Sequence, residues 1–279
     1  MANCWEVKNL SFTFKKGLNN VLSDINLKIE EGQWITFFGN NGSGKSTLLK
    51  LLANLCGPYE GEIIYAGKNL HNWDKGLFHQ KVGWLGQHTA NQIITTSVEE
   101  ELAFGLENLG LPREEIHQRI EETLQEWQME ELREHPPHLL SGGQQQKLAL
   151  ASLFSMHYSS LLLDEPFNFL DEVAERHLTK KIKEAVKKGV TVITTTPETS
   201  HLLYADKVIA LDNGKKVFDG KPEEIFAEKI FWQKWPPPVL WDIGMHLYDL
   251  GYLPGFIFSR EEELVQAYVD HFGKSQLSV

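Results

Sequence analysis

Two glycine-rich segments of this sequence have the residue types and spacing that bind phosphate. The first, at residues 39–46, matches the pattern G-x-x-x-x-G-K-[ST] between a predicted strand and a predicted helix. Its glycines would let backbone N–H groups close on the β- and γ-phosphates, while Lys45 neutralises charge. This pattern predicts a nucleotide-binding site. Its expected contacts are Gly39, Asn40, Asn41, Gly42, Ser43, Gly44, Lys45, Ser46 and Thr47.

The second segment is the run Leu-Ser-Gly-Gly-Gln at residues 140–144, which opens another predicted helix. Such a helix start would present backbone N–H groups and a hydroxyl to phosphate oxygens. The residues expected to make these contacts are Ser141, Gly142, Gly143 and Gln144. Because the chain already has a complete phosphate loop, a second element of this kind requires an explanation.

Two acidic residues, Asp164 and Glu165, directly follow the apolar run at residues 161–163. A carboxylate at the end of a buried strand can hold Mg²⁺, usually through water, and the Ser46 hydroxyl can be a further ligand. The adjacent Glu165 would be placed to act as a general base that polarises an attacking water molecule. An apolar strand that ends in two acids is common by itself, but its position downstream of a phosphate loop favours the catalytic interpretation.

The elements that must position these residues alternate between strands and helices. This alternation predicts an α/β fold with a largely parallel sheet, a P-loop NTPase core at residues 1–220. Apolar residues at helical spacing between the two phosphate segments predict a helical subdomain at about residues 88–155. The aromatic, amphipathic tail at residues 221–279 is typical of a small helical C-terminal domain for dimerisation or interaction. Its aromatic side chains could pack together or form a protein interface.

The composition restricts the possible partners. A formal net charge of −11 and a pI near 5.5 argue against a nucleic-acid partner and against direct adhesion to anionic lipid. No apolar run reaches the roughly 18–20 residues that span a bilayer, so membrane contact would need a partner. The two cysteines lack metal-ligand spacing and the first residues lack a signal-peptide pattern, so we expect a reduced cytosolic environment.

In their order along the chain, these motifs resemble those of the ATPase subunits of ABC transporters, over roughly residues 1–220. The resemblance implies ATP and Mg²⁺ as cofactors, with Phe14 stacked on adenine. It implies that Gln87 belongs to the catalytic site with Glu165 and senses Mg²⁺, which Ser46 and Asp164 also ligate. It further implies a dimer with two composite sites, because the 140–144 loop of each subunit faces the ATP held by the other.

A narrower resemblance concerns residues 92–109, which share the phrase V-E-x-x-x-A-F-G-L-E-N with ATPases of energy-coupling factor (ECF) transporters. That family powers uptake of vitamins, or of cobalt and nickel ions, through a membrane T component and a substrate-binding S component. The resemblance implies a peripheral position on the cytoplasmic face of the membrane, with residues near 87–105 docking the T component. The acidic residues 99–101 would suit basic partner residues, or they form a solvated first helical turn.

Position 197 departs from the family pattern. After the strand predicted at residues 190–194, the family carries a histidine that contacts the γ-phosphate, and here Pro197 occupies that position. Proline offers neither a side-chain donor nor an N–H. We expect His201 to lie at the surface rather than to replace that histidine. The chain is therefore expected to pair with a different ATPase subunit, so that its own site is the weaker one and its 140–144 loop serves the stronger.

Two other interpretations stay open. The chain could be the ATPase subunit of an ordinary ABC importer, or a nucleotide-gated module that hydrolyses little ATP by itself. A soluble P-loop kinase fits less well, because the sequence has no evident acceptor site and carries the 140–144 loop. The transported substrate leaves no trace in the sequence, because an ATPase subunit does not touch it.

Overall fold

The computed structural model of the chain describes residues 3–15, 20–89, 92–227, 231, 234–253 and 261–276. Its strands within these ranges are β1 (Asn3–Phe12), β2 (Leu22–Glu30), β3 (Trp34–Phe38), β4 (Glu60–Tyr65), β5 (Lys68–Asn69), β6 (Val82–Leu85), β7 (Ser160–Leu163), β8 (Thr191–Thr196), β9 (Lys207–Asp212) and β10 (Lys215–Gly220). They form two sheets. The smaller sheet is antiparallel, with the order β2-β1-β4-β5, and β2 largely alternates between buried and more exposed residues because one face lies on the core.

The larger sheet has the order β10-β9-β3-β8-β7-β6 and is parallel except for β10. Strands β3, β7 and β8 consist entirely of buried residues, as is usual for parallel strands covered on both faces. The predicted α/β fold with a largely parallel sheet is confirmed. Because carboxyl ends of parallel strands lie at one edge, the residues that follow β3, β7 and β8 come together there.

The described helices are α1 (Lys45–Leu52), α2 (Lys75–His79), α3 (Val98–Asn108), α4 (Arg113–Glu126), α5 (Gly142–Ser155), α6 (Glu172–Lys187), α7 (Pro222–Ala227), α8 (Val239–Asp249) and α9 (Glu261–Gln276). Helices α3, α4 and α5 pack together, and their side chains share one buried cluster with Leu161 and Leu163 of β7. The helix that begins with the second glycine-rich segment is thus anchored to the parallel sheet. No helix in the described ranges is long and apolar enough to cross a membrane.

Tryptophans of the C-terminal segment pack against the parallel sheet. Trp235 and Trp241 are buried in a cluster with Phe38 of β3 and Val208 of β9. These two residues therefore pack within the chain, against the parallel sheet, and not only against other aromatic residues of the tail. The apolar side chains of α8 that stay exposed leave the interface interpretation open for that helix. They are Val239 and Ile243, and Leu250 directly after the helix is exposed as well.

Candidate active site

The phosphate-binding loop connects β3 to α1 at the carboxyl edge of the parallel sheet. Gly39 has a φ of +145°, and a Cβ there would lie 2.2 Å from the carbonyl oxygen of Leu211. Gly44 has a φ of +105°, and a Cβ there would lie 2.7 Å from a methyl carbon of Leu22. The backbone conformation and the close approach of neighbouring strands both require glycine at these positions.

Lys45, the first residue of α1, is only 4% exposed. Its Nζ donates hydrogen bonds to the carbonyl oxygens of Gly39, at 2.7 Å, and Asn40, at 3.1 Å. Burial lowers the pKa of the Lys45 ammonium, while the charges of Glu165 and Asp164 act in the opposite direction. The loop therefore curls around a cation, which suits the binding of phosphate groups.

Asp164 follows β7 and is buried. Its Oδ1 accepts hydrogen bonds from Ser46 Oγ, at 2.9 Å, and from Thr195 Oγ1, at 2.6 Å. Burial raises the pKa of the Asp164 carboxyl, and the two hydroxyl donors partly oppose this shift. Ser46 and Asp164, both expected to ligate Mg²⁺, thus meet within hydrogen-bond distance, and their oxygen atoms are the donors that this hard cation prefers.

Glu165 has a left-handed backbone, with φ +51°, and its N–H donates to Thr195 Oγ1 at 2.9 Å. The carboxylate Oε2 accepts hydrogen bonds from Gln87 Nε2, at 2.9 Å, and Asn168 Nδ2, at 2.6 Å. Both donors are neutral amides, so they orient the carboxylate without neutralising its charge. A carboxylate held in one direction by two donors is placed to act as a general base.

A pocket of about 310 Å³ contains most of the residues expected to bind the nucleotide phosphates and Mg²⁺. It is lined by Val21, Asn41, Gly42, Gly44, Lys45, Ser46, Thr47, Gln87 and Glu165. The phosphate loop, the expected metal ligand Gln87 and the expected base Glu165 therefore share one space, next to the buried Asp164. The roles of these residues stay predictions.

Phe14, the residue expected to stack on adenine, is 65% exposed and makes an edge-to-face contact with Phe12, at 5.0 Å between ring centroids. Phe12 accepts a backbone hydrogen bond from Val21 at 2.8 Å, and the Val21 carbonyl oxygen would lie 3.2 Å from a Cβ on Gly44. Phe14 thus belongs to a strand connection that contacts the phosphate loop, and it leaves ring surface open for a base.

The second glycine-rich segment lies apart from this pocket. Ser141 caps α5: Gln144 N–H donates to Ser141 Oγ at 3.3 Å, and Ser141 N–H donates to Gln144 Oε1 at 2.9 Å. A Cβ on Gly143 would lie 2.7 Å from the carbonyl oxygen of Phe169. Ser141, Gly143 and Gln144 line a different pocket, of about 440 Å³. The structure therefore does not bring the two phosphate-binding segments together within this chain.

The position expected to hold a γ-phosphate contact is Pro197, directly after β8. His201 lies in the following turn, where its ring centroid is 4.5 Å from that of Phe167 and its Nδ1 is 3.1 Å from Thr196 Oγ1. Only 12% of its side chain is exposed, and burial lowers its pKa to about 4. The expectation that His201 lies at the surface was wrong, because the turn folds the ring back into the protein.

Two residues that support the acidic pair were not assigned a role from the sequence. Thr195 contacts both Asp164 and Glu165, and Asn168 contacts Glu165. The available signal for Thr195 was a run of threonines in a strand that is otherwise apolar, since buried hydroxyls need partners. For Asn168, only its closeness in sequence to Glu165 pointed to such a contact.

Residues 22–168 of the chain match the family described as ABC transporter. The chain is 42% identical to the energy-coupling factor transporter ATP-binding protein EcfA1 of Caldanaerobacter subterraneus subsp. tengcongensis, over 82% of its own length and 84% of that protein.

Solved structures give the same result. That of cbiO1 from Clostridium perfringens, part of the ABC transporter complex cbiONQ, has a TM-score of 0.75 at 30% identity and covers 89% of this chain and 97% of its own. A dimeric ATP-binding cassette in a post-hydrolysis state with ADP and Pi has a TM-score of 0.72 at 27% identity, over 78% and 98%. The chain therefore belongs to the ABC transporter family, as an ATP-hydrolysing subunit of the energy-coupling factor type.

Proposed function

We propose that this chain binds ATP with Mg²⁺ at residues 39–47 and hydrolyses it slowly, as one half of a heterodimer in an ECF-type importer. The observation that carries the proposed asymmetry is Pro197 at the end of β8, in a chain whose 140–144 loop is complete. The importer would move a vitamin or a transition-metal ion through membrane T and S components, with this chain on the cytoplasmic face. The similarity to energy-coupling factor transporter ATP-binding proteins supports the ECF type.

Several residues in and beside the pocket would each have a task in hydrolysis. The loop N–H groups bind the β- and γ-phosphates, and Lys45 balances their charge. When bound, Mg²⁺ neutralises phosphate charge, and Ser46, Asp164 and Gln87 would hold it. Glu165 accepts a proton from water as the water oxygen bonds to the γ-phosphorus and the bond from that phosphorus to the β–γ bridging oxygen breaks. ADP and inorganic phosphate leave.

The weak point of this site is the missing donor at residue 197. Charge that develops on the γ-phosphate is normally stabilised by fixed hydrogen-bond donors, and Pro197 supplies none. His201 is a poor replacement, because its ring packs on Phe167 and its lowered pKa keeps it neutral. Glu165 is present and well oriented, so we expect slow hydrolysis rather than none.

Membrane partners would dock beside the helical subdomain. A pocket of about 320 Å³ lies between β6 and helices α3 and α5, with Trp84, Ile93 and Met156 among its lining residues.

Each carboxylate of residues 99–101 already has a partner within the chain. Glu99 pairs with Arg133 at 3.5 Å, Glu100 accepts a hydrogen bond from Thr96, and the buried Glu101 accepts one from Thr95. We therefore expect a T-component helix to enter through apolar contacts more than through these acids.

The asymmetry is tested in the assembled transporter. Glu165→Gln should cost little turnover if this site is already weak, whereas the equivalent change in the partner ATPase should abolish it. Pro197→His should raise turnover. Equal losses from the two Glu→Gln changes would overturn the asymmetric assignment.

Pro197 also favours a second candidate function, a nucleotide-gated module in which ATP closes the dimer and this chain hydrolyses almost nothing. Turnover of the purified chain alone, compared with that of the mixed dimer, distinguishes the two. Measurable turnover that disappears in Glu165→Gln supports the hydrolytic role. Tight ATP binding without turnover supports the gated module.

A further inference from the structure

The C-terminal segment reaches the phosphate-binding loop through Trp235. This side chain is 4% exposed, and its indole Nε1 donates a hydrogen bond to Asn40 Oδ1 at 3.1 Å. Its ring also packs against Phe38, with 5.2 Å between ring centroids. Phe38 and Asn40 lie on either side of Gly39, so one tryptophan contacts both residues that flank the first glycine of the loop.

A second contact lies beside the first. Lys234 Nζ forms an ion pair with Asp212 Oδ2 at 2.5 Å, at the end of β9. The preceding residue, Leu211, has its carbonyl oxygen where a side chain on Gly39 would lie. The C-terminal segment therefore contacts β3, which leads into the loop, and also β9, which pairs with β3.

These contacts bear on Lys45, the cation of the loop. Its Nζ donates hydrogen bonds to the carbonyl oxygens of Gly39 and Asn40, the two residues that follow Phe38. A hydrogen bond that fixes the Asn40 side chain thus also restricts the carbonyl that receives the lysine. The Asn40 carbonyl also accepts a hydrogen bond from the Ser43 N–H at 3.1 Å, whereas the side chain of the exposed Asn40 is held by the Trp235 indole.

We propose that Trp235 is a positioning residue for the phosphate-binding loop, so that docking of the C-terminal segment and nucleotide binding are coupled. This inference rests on the proposed function, since it requires ATP to bind at residues 39–47. Coupling is reciprocal: if Trp235 favours the loop conformation that binds nucleotide, nucleotide must stabilise the docked segment to the same extent. A tryptophan that only fills the core would show neither effect.

The test uses the full chain, three test variants and one control variant. Trp235→Phe keeps an aromatic ring against Phe38 but removes the indole N–H. Asn40→Ala removes the side-chain oxygen that accepts this hydrogen bond, at an exposed position where the substitution does not endanger the fold. The third variant combines both changes. Trp241→Phe is the matched control, because it makes the same replacement at another buried tryptophan of the same cluster. Equilibrium binding of a fluorescent ATP analogue with Mg²⁺ is measured for each.

We expect Trp235→Phe to weaken nucleotide binding by about fivefold, the effect of one neutral hydrogen bond, with a smaller loss in Trp241→Phe, which perturbs the docked segment but leaves the bond to Asn40 in place. Adding Trp235→Phe to Asn40→Ala should cause little further loss, because the same bond is already absent. Hydrogen exchange supplies the reciprocal measurement. Nucleotide should slow amide exchange in α8 of the wild-type chain and do so less in Trp235→Phe.

Three outcomes would overturn the inference. They are wild-type affinity in Trp235→Phe, fully additive losses in the double variant, or nucleotide protection of α8 that is the same in both chains. If the Trp235→Phe chain fails to fold, Asn40→Ala becomes the deciding variant. If nucleotide then protects the amides of α8 in Asn40→Ala as much as in the wild-type chain, the coupling is excluded. Failure of the wild-type chain to bind nucleotide would instead overturn the proposed function itself.

Discussion

The two phosphate-binding segments of this chain are held in opposite ways. In the segment between β3 and α1, the lysine is almost fully buried and the neighbouring acids accept hydrogen bonds from hydroxyls and amides on other strands and loops. In the segment at the start of α5, Ser141 and Gly142 are exposed, and its hydrogen-bonded cap lies within the segment. The first segment, here the closed site, is thus fixed by contacts with other parts of the fold, whereas the second, the open segment, is fixed mainly by its own cap.

This difference explains how one chain can carry two elements for the same ligand chemistry. A site that holds ATP with a metal ion needs its charges fixed in advance, because reorienting them during the reaction would raise the barrier. A segment that closes over a nucleotide held elsewhere needs free N–H groups and a rigid helix start. The capping box between Ser141 and Gln144 supplies that rigidity locally.

The largest expected effect separates the two segments by substitution. In the isolated chain, Lys45→Ala should weaken ATP binding by about a hundredfold, or ~3 kcal/mol, because it removes a charged donor to phosphate. Ser141→Ala should leave that binding unchanged and reduce turnover only in the assembled dimer. Isothermal titration with ATP and Mg²⁺ measures the first, and steady-state hydrolysis measures the second. Comparable loss of binding in both variants would mean that the two segments serve the same nucleotide.

A smaller effect concerns the rigidity of the closed site. Thr195→Val has nearly the same shape, but it removes the hydroxyl that donates to Asp164 and accepts from the N–H of Glu165. We expect the free energy of unfolding to fall by about 2 kcal/mol, because buried polar groups lose their partner. Urea denaturation of the isolated chain measures it.

Thr179→Val is the control for this experiment. Thr179 is also buried, and its Oγ1 has no hydrogen-bond partner among the described residues. The same replacement there should change the unfolding free energy by less than about 0.5 kcal/mol, or stabilise the chain slightly. Equal losses at the two positions would show that the hydroxyl at residue 195 contributes nothing specific.

The parts of the candidate site that the sequence predicts most directly are contiguous. The loop at residues 39–46, the acidic pair and the 140–144 segment each lie within a few positions, so local spacing identified them. Thr195 could not be assigned in this way, because it reaches Asp164 only through the parallel pairing of β7 with β8. Trp235 reaches Asn40 across 195 positions of the chain, a separation at which residue spacing carries no information.

His201 is a residue whose position was predicted wrongly from the sequence. It follows Pro197, Glu198 and a threonine–serine pair, a polar stretch that favours an exposed loop. The turn Thr199–Tyr204 instead brings the ring onto Phe167 and next to Thr196. The direction of this side chain depends on an aromatic contact with a distant part of the chain, which residue spacing does not reveal.

The smallest expected effect tests a connection between the open segment and the expected base of the closed site. Gly143 of the open segment lies against the carbonyl oxygen of Phe169, and the adjacent Asn168 donates to the expected base Glu165. Gly143→Ala would place a Cβ 2.7 Å from that oxygen, so the loop must shift. We expect a loss of about 1.5 kcal/mol in unfolding free energy, as for other overpacked positions.

Gly142→Ala is the matched control, because a Cβ on Gly142 has no heavy atom within 4 Å. At this helix start, alanine should be neutral or stabilise the chain by up to about 0.5 kcal/mol. The shift caused by Gly143→Ala should also disturb the bond between Asn168 and Glu165, and therefore lower hydrolysis at this chain's own site. If Gly143→Ala lowers stability but leaves that hydrolysis intact, then the open segment and the closed site are independent within one chain, and their only connection runs through the partner subunit.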